Sequence, residues 1–345
     1  MFAKAVLPVA LAIGSFLTAN AQPAGKLKVS FIDVEGGQAT LFVTPAGESL
    51  LIDTGWPGNN GRDADRIVAA AKKLGLSNID YVLITHYHDD HVGGVPQLVA
   101  RIPVGTFIDH GPNRELDPSS PSPKLYAEYQ KVLATGKSKH LTLKPGEVLP
   151  IKGLHATVIS ADGALIAHPL PGAGQPDEAC STSPTKPADQ TENARSLGVE
   201  IDFGKLKLLD LGDLTWDKEM ELMCPTNKLG KIDILIVSHH GWYQSSSPAL
   251  IHGIHPRVAI MDNGAKKGGS PGTLDTLNAT PGLEALFQLH FATESAEKNA
   301  PADHIANLQG TVPDAGNSIE LTAAKDGSFS ITNTRTKETK LFPAK

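Results

Sequence analysis

The sequence predicts an α/β protein with a sheet-on-sheet core covered by helices, and three observations carry that prediction. Short runs rich in β-branched and apolar residues recur between Gly, Pro and Asn punctuation. Stretches of helical periodicity separate them. Two buried-strand patterns, "IDYVLIT" and "IDILIVS", both end in histidines, so the chain falls into two broadly similar halves.

The first half opens on "LKVSFIDV", "GGQATLFVT" and "ESLLIDTG", which read as an antiparallel meander. Ile67, Val68, Ala71 and Leu74 then recur at helical spacing, predicting a helix over residues 63–74. "IDYVLIT" is a continuous apolar strand, "VGGVPQLVAR" a short helix and "VGTFIDHG" another strand. Residues 112–190 change texture: Pro-, Ser- and Gly-rich loops enclose a helical "KLYAEYQKVLAT" and two strand candidates, "HLTLKPGEVLPI" and "LHATVISADG". Such a segment is an active-site rim or a tolerated insertion. Order returns with the paired strands of "RSLGVEIDFGKLKLLDLGD", the helical "WDKEMELM" and the strands of "IDILIVSHHG" and "HPRVAIMDNG". Alternation on both sides of Asp326-Gly327 predicts a C-terminal β-hairpin. With no clean repeat and no linker, residues 22–345 read as one domain carrying an insertion around 112–190.

The N-terminus reads differently. A positive charge at Lys4, an apolar run over residues 5–17 and the small-residue pattern Ala19-Asn20-Ala21 predict a signal peptide over residues 1–21, cleaved after Ala21. The mature protein is then expected to be periplasmic or secreted and free of stable membrane association. In such a compartment Cys180 and Cys224, the two cysteines of the chain, can pair. Thirty-one basic against thirty-seven acidic residues give a net charge of -6, which argues against wrapping duplex DNA by charge. A small-molecule ester or phosphodiester is the expected partner, with nucleic acid disfavoured and the oligomeric state open.

The chemistry concentrates in "THYHDDHVGG", where His86, His88, Asp90 and His91 follow the pattern H-x-H-x-D-H at the end of a strand. Imidazole nitrogens and carboxylate oxygens both suit zinc. Because neighbours on an extended loop point apart, the four are expected to serve two ions as two pairs. Asp213, in "LLDLGD", stands at another strand end, where it can bridge two ions or cap the helix that follows. Of the adjacent His239 and His240, one is expected to be a ligand and the other a group that faces the substrate or supports the ligands from behind. Two ions about 3.5 Å apart can hold a hydroxide between them and lower its pKa toward neutrality. Such a site needs no serine or cysteine nucleophile.

Together "FIDVEGGQATLFVTPAGESLLIDTG", "ITHYHDDHVGG", "LLDLGD" and "ILIVSHHG" resemble the metallo-β-lactamase superfamily, and within it the branch containing the ComEC hydrolase domain and phosphorylcholine esterase. The resemblance implies an αββα four-layer fold, two mixed β-sheets packed face to face with helices outside. It implies His86 and His88 at one ion, Asp90 and His91 at the second, Asp213 as bridge and His240 completing the second site. It makes Asp90 and His239 the catalytic side chains and Asp53 the carboxylate that orients the histidine loop. Two zinc ions are implied, with manganese as the substitute.

The sequence departs from the family pattern in two places. Gly37-Gln38 replaces the usual Gly-Asp, and no histidine in convincing surroundings supplies the third ligand of the first ion. His168, in "LIAHPL", is the better candidate over His155, while "ENARS" at residues 192–196 resembles the Asn- and Ser-rich segment of the branch. "NGAKKGGS" offers Asn263, Lys266 and Lys267 as a phosphate-contacting loop or a solvated turn, and Trp242 and Tyr243 stand where a flat or cationic group would stack. The expected function is therefore an exported binuclear phosphodiesterase-like hydrolase. A β-lactamase or lactone/ester hydrolase of the same fold and a non-catalytic metal-stabilised binding protein are the alternatives.

Overall fold

The computed structural model describes residues 25–308 and 315–345, so the signal-peptide segment lies outside the described residues. The meander forms β1 (Leu27–Phe31), β2 (Thr40–Val43) and β3 (Ser49–Ile52), paired antiparallel in that order. Helix α1 (Arg62–Lys73) crosses over to β4 (Ile79–Leu83), which pairs parallel with β3. The short helices α2 (Asp89–Val92) and α3 (Val95–Val99) lead to β5 (Val104–Asp109), and α4 (Ser122–Leu133) to β6 (Lys139–Thr142), again in parallel.

The second sheet begins with β7 (His155–Ala161), the two-residue β8 (Ala164–Leu165), β9 (Gly198–Phe203) and β10 (Leu206–Asp210). Beyond β10 it becomes parallel. Helix α5 (Trp216–Met223) leads to β11 (Ile234–Ile236), α6 (Pro248–Ile254) to β12 (Val258–Met261), α7 (Pro271–Asn278) to β13 (Ala285–His290), and β14 (Ile305–Asn307) closes the edge. The chain then returns to the first sheet. The hairpin β15 (Ile319–Ala323) and β16 (Phe329–Asn333) adds β15 to β1, and β17 (Thr339–Phe342) follows as the edge. A nine-stranded mixed sheet thus faces an eight-stranded one.

Period-2 alternation explains the layering. Leu83, Leu208, Ile234, Ile236, Val258 and Ile260 point into the seam between the sheets, joined there by Phe31, Ile52 and Phe203. Their sequence neighbours Val82, Leu209, Leu235, Ala259 and Met261 point outward under helices. Helix α1 lays Ile67, Val68 and Ala71 on the first sheet, and α4 adds Leu125 and Tyr129. On the other side α5 contributes Leu222 and Met223, α6 Leu250, Ile251 and Ile254, and α7 Leu274 and Leu277. Each such side chain removed from water is worth about 1.5–3 kcal/mol, so both faces of both sheets contribute to stability. No helix among the described residues is long and apolar enough to cross a membrane.

The sequence missed α2, α6, α7, β8, β13, β14 and β17. Helices α6 and α7 each start at a proline after a serine, but their cores are only a turn or two long, too short for periodicity to separate from a buried strand.

Cys180 and Cys224 form a disulfide that closes a 44-residue loop, tying the segment after β8 to the end of α5. Replacing both cysteines by serine removes that constraint on the unfolded chain, a loss of about 2–4 kcal/mol. The double variant is expected to melt roughly 5 °C lower in a calorimetric scan, and an unchanged melting temperature would show that the loop is held by its other contacts.

Candidate metal centre

Parallel strands on both sheets end at one place, and the chain puts its ionisable groups there. Asp53 follows β3, Thr85 and His86 follow β4, Asp213 follows β10, His239 and His240 follow β11, and Asp262 follows β12. Asp90, His91, Asp213 and His240 are all buried and offer ligand atoms within 4.8 Å of one another. His91 Nε2 lies 3.3 Å from Asp90 Oδ2 and 3.3 Å from Asp213 Oδ2. His240 Nε2 is 3.0 Å from Asp90 Oδ2 and 3.5 Å from Asp213 Oδ1. His86 Nε2 lies 3.9 Å from the same Asp213 Oδ2 and 3.0 Å from His88 Nδ1.

One expectation about neighbours is corrected by the backbone. Residues 89–92 form a helical turn rather than an extended loop, so Asp90 and His91 converge instead of pointing apart. His239 and His240 both adopt left-handed φ values, 54° and 55°, and this tight turn brings both rings to Asp213, with His239 Nε2 3.3 Å from Oδ2. A right-handed or extended pair would have sent one ring away.

Three of the histidines have a carboxylate on the nitrogen facing away from the cluster. Asp53 Oδ2 is 2.7 Å from His91 Nδ1, Glu115 Oε2 is 3.0 Å from His88 Nε2, and Asp262 Oδ1 is 3.2 Å from His240 Nδ1. The hydrogen-bonded partners Asp53 and Glu115 fix the orientation and tautomer of the His91 and His88 rings, leaving the opposite nitrogen toward the centre, whereas Asp262 is a nearby charge without a hydrogen bond to His240. Asp53 is itself held by the amide and hydroxyl of Thr85, which donate at 2.8 and 2.7 Å. Gly94 closes this loop: a Cβ there would stand 2.0 Å from the carbonyl oxygen of Thr54, which only glycine avoids.

The electrostatics suit a cation. Burial opposes ionisation of Asp90, but Lys267, His91 and His240 outweigh it and hold its carboxyl well below the usual range. Burial likewise opposes ionisation of Asp213, and His239, His91 and His240 outweigh it. Burial pushes the His86 ring well down and His239 to about 4, so both present neutral nitrogens. Asp213 Oδ1 is buried with no hydrogen-bond partner, the condition of a carboxylate oxygen built to meet an ion. The donor set of imidazoles and carboxylates fits zinc.

The remaining candidates divide. His168 is exposed in the loop after the sheet-edge strand β8, which corrects its assignment as a ligand. The segment at 192–196 approaches instead: Ser196 Oγ accepts from the Asp213 amide at 3.2 Å, the Glu192 amide donates to Glu115 Oε2 at 3.0 Å, and Asn193 Oδ1 is buried without a partner. Asn263 is fully buried and its amide donates to the carbonyls of Gly264 and His290, so it is a structural clamp rather than a substrate contact. Lys267 turns into the centre and forms an ion pair with Asp90, while Lys266 stays exposed. Trp242 is half-buried and Tyr243 exposed, their rings 5.7 Å apart. Gln38, where an acid is usual, donates its amide to Asp210 at 2.5 Å across the two sheets. Burial pushes the Asp210 carboxyl up to about 7. Asp262 was within reach of sequence reasoning, because it ends a buried strand as Asp53 and Asp213 do. Glu115 was not, since it sits in a Pro- and Ser-rich loop without pattern.

Comparison with known proteins agrees with this geometry. Residues 32–175 match the family model of the metallo-beta-lactamase superfamily. The chain is 28% identical over 240 residues to Recombination protein 2 of Haemophilus influenzae, covering 69% of this chain and 24% of the relative. It therefore spans about a quarter of that protein's length. A hydroxyacylglutathione hydrolase of Stenotrophomonas maltophilia is 34% identical over 106 residues, 31% of this chain and 37% of the relative. The metallo-beta-lactamase fold protein YhfI of Bacillus subtilis covers 76% of this chain and 96% of its own at 15% identity and a TM-score of 0.46. The two mixed sheets flanked by helices match a four-layer metallo-β-lactamase-like architecture. The fold brings the buried Asp90, His91, Asp213 and His240 together as a centre whose donor atoms could hold a metal ion.

Substitution of Asp53 by alanine frees the His91 ring. Zinc affinity, read by competition with a chromogenic chelator, is expected to fall roughly 10- to 100-fold, and unchanged affinity would show that His91 is oriented by other contacts.

Proposed function

We propose that the centre hydrolyses a carboxylic ester, thioester or lactone. The observation that carries this choice is the fate of the loop at 263–270. Asn263 is turned into the protein and Lys267 is engaged by Asp90, which leaves Lys266 alone of the three to meet a phosphate. Phosphoryl transfer spreads charge over several non-bridging oxygens and uses several cationic contacts, whereas an acyl centre develops one oxyanion. The Stenotrophomonas maltophilia relative, a hydroxyacylglutathione hydrolase, supports the acyl reading. The long alignment with Recombination protein 2 supports the ComEC-like branch without naming a substrate.

In this reading His86, His88 and Asp213 hold a first ion, and Asp90, His91, His240 and Asp213 a second. Asn193 Oδ1, buried without a partner in the segment just before Ser196, would be the oxygen that completes the first ion's ligands in place of a third histidine. Bound zinc would supply Lewis acidity and lower the pKa of the attacking water. Asp90 orients that water, His239 steadies Asp213, and the Trp242 and Tyr243 rings pack against the apolar part of the acyl group.

The test is a substrate panel on purified protein: p-nitrophenyl butyrate, an acyl-glutathione, a γ-lactone and bis(p-nitrophenyl) phosphate. Acyl turnover is expected to fall roughly 100-fold or more on chelation and to return with zinc or manganese. Turnover confined to the phosphodiester would reverse the assignment.

We also propose export, with cleavage after Ala21 and residues 22–345 as one domain. The Cys180–Cys224 disulfide supports an oxidising compartment. N-terminal sequencing of the protein from its native host is expected to begin at Gln22, and a start at Met1 would defeat the proposal.

A further inference from the structure

We propose that Lys267 is an internal cation at the Asp90 end of the centre, so that a second metal ion enters only by displacing its ammonium from Asp90. The inference rests on the metal-centre reading above and goes beyond it by assigning the two positions unequal affinity.

Three observations carry it. Lys267 Nζ is ion-paired with Asp90 Oδ2, the same oxygen that lies 3.0 Å from His240 Nε2 and 3.3 Å from His91 Nε2. The ammonium therefore stands against an oxygen that an ion shared by Asp90, His91 and His240 would need. Second, the lysine is aimed there by a built loop. Its carbonyl accepts from the Gly264 amide at 2.8 Å. Gly36, at φ 80°, packs so closely that a Cβ would stand 3.0 Å from Lys267 Cβ and 3.2 Å from its carbonyl oxygen. The Trp56 ring centroid lies 4.8 Å from Nζ, an aromatic face that favours a cation. Third, the centre is asymmetric. His86 Nε2 and His88 Nδ1 lie 3.0 Å apart, and the partner on the far nitrogen of His88 is an acid, Glu115, rather than a cation.

A divalent ion and an ammonium that share one carboxylate oxygen in a buried site repel each other strongly. The His86/His88 position carries no such penalty. One ion is thus held tightly and the next weakly.

The experiment is zinc titration of the full mature chain against a competing chelator, for wild type, Lys267→Met and Lys267→Arg, with thermal melting as the folding control. Wild type is expected to take up two equivalents, the second at least about tenfold weaker than the first. Lys267→Met should tighten the second equivalent about tenfold or more while leaving the first unchanged, and Lys267→Arg should keep it weak. A merely structural lysine would not move the second equivalent selectively. Equal second-equivalent affinity in wild type and Lys267→Met, or weaker binding in that variant, overturns the inference but leaves the metal centre standing. Uptake of no zinc by either protein overturns the metal-centre reading and the inference with it.

Discussion

The buried carboxylate of Asp213 is the constraint on which the centre depends. It stands at the end of a strand in the second sheet, yet its oxygens face His86 and His91 from the first sheet as well as His239 and His240 from its own. A charge removed from water costs several kcal/mol unless it is compensated in place. The compensation here comes from both sheets, so it exists only when their strand ends are in register across the seam. Ser196, which accepts from the Asp213 backbone amide, sits just before β9 and adds a third point of attachment.

Acids behind the histidines extend the same logic outward. Asp53, Glu115 and Asp262 each meet the far nitrogen of a ring that faces the centre. Glu115 comes from the loop-rich segment, which is therefore part of the site's wall rather than an appended insertion. A second buried acid, Asp33, joins the sheets away from the centre. It accepts from the Glu35 amide, Arg66 and Asn307 and lies 2.7 Å from His290 Nε2. The opening motif thus works as a staple: Asp33 ties the first sheet to β13 and β14, and Gln38 ties it to β10. An amide at Gln38 can donate to Asp210, where an acid would need a shared proton or a cation.

Much of the architecture was legible because its signals are local. The continuous apolar runs "ILI" and "VAIM" mark strands buried on both faces, and the spacing of Ile67, Val68 and Ala71 marks α1. The histidine cluster was legible for a similar reason, since its members are neighbours in sequence. His168 misled because a histidine inside an apolar run looks buried, while its strand is a two-residue edge that leaves the following loop in solvent. Asn263 and Lys267 misled in opposite senses. Gly-flanked polar residues read as a loop facing solvent, but one is consumed by backbone carbonyls and the other by Asp90.

The sequence by itself determined most of the strands and helices, the family resemblance and the residue types gathered at strand ends. These follow from period, punctuation and composition, which act over a few residues. Tertiary structure alone decided how the donors are shared. The left-handed turn at His239 and His240 sends both rings to Asp213, Glu115 crosses from a distant loop to His88, and Lys267 reaches back to Asp90 across 177 positions of chain. Those relations depend on where two sheets place their ends in space, and no local pattern encodes that distance.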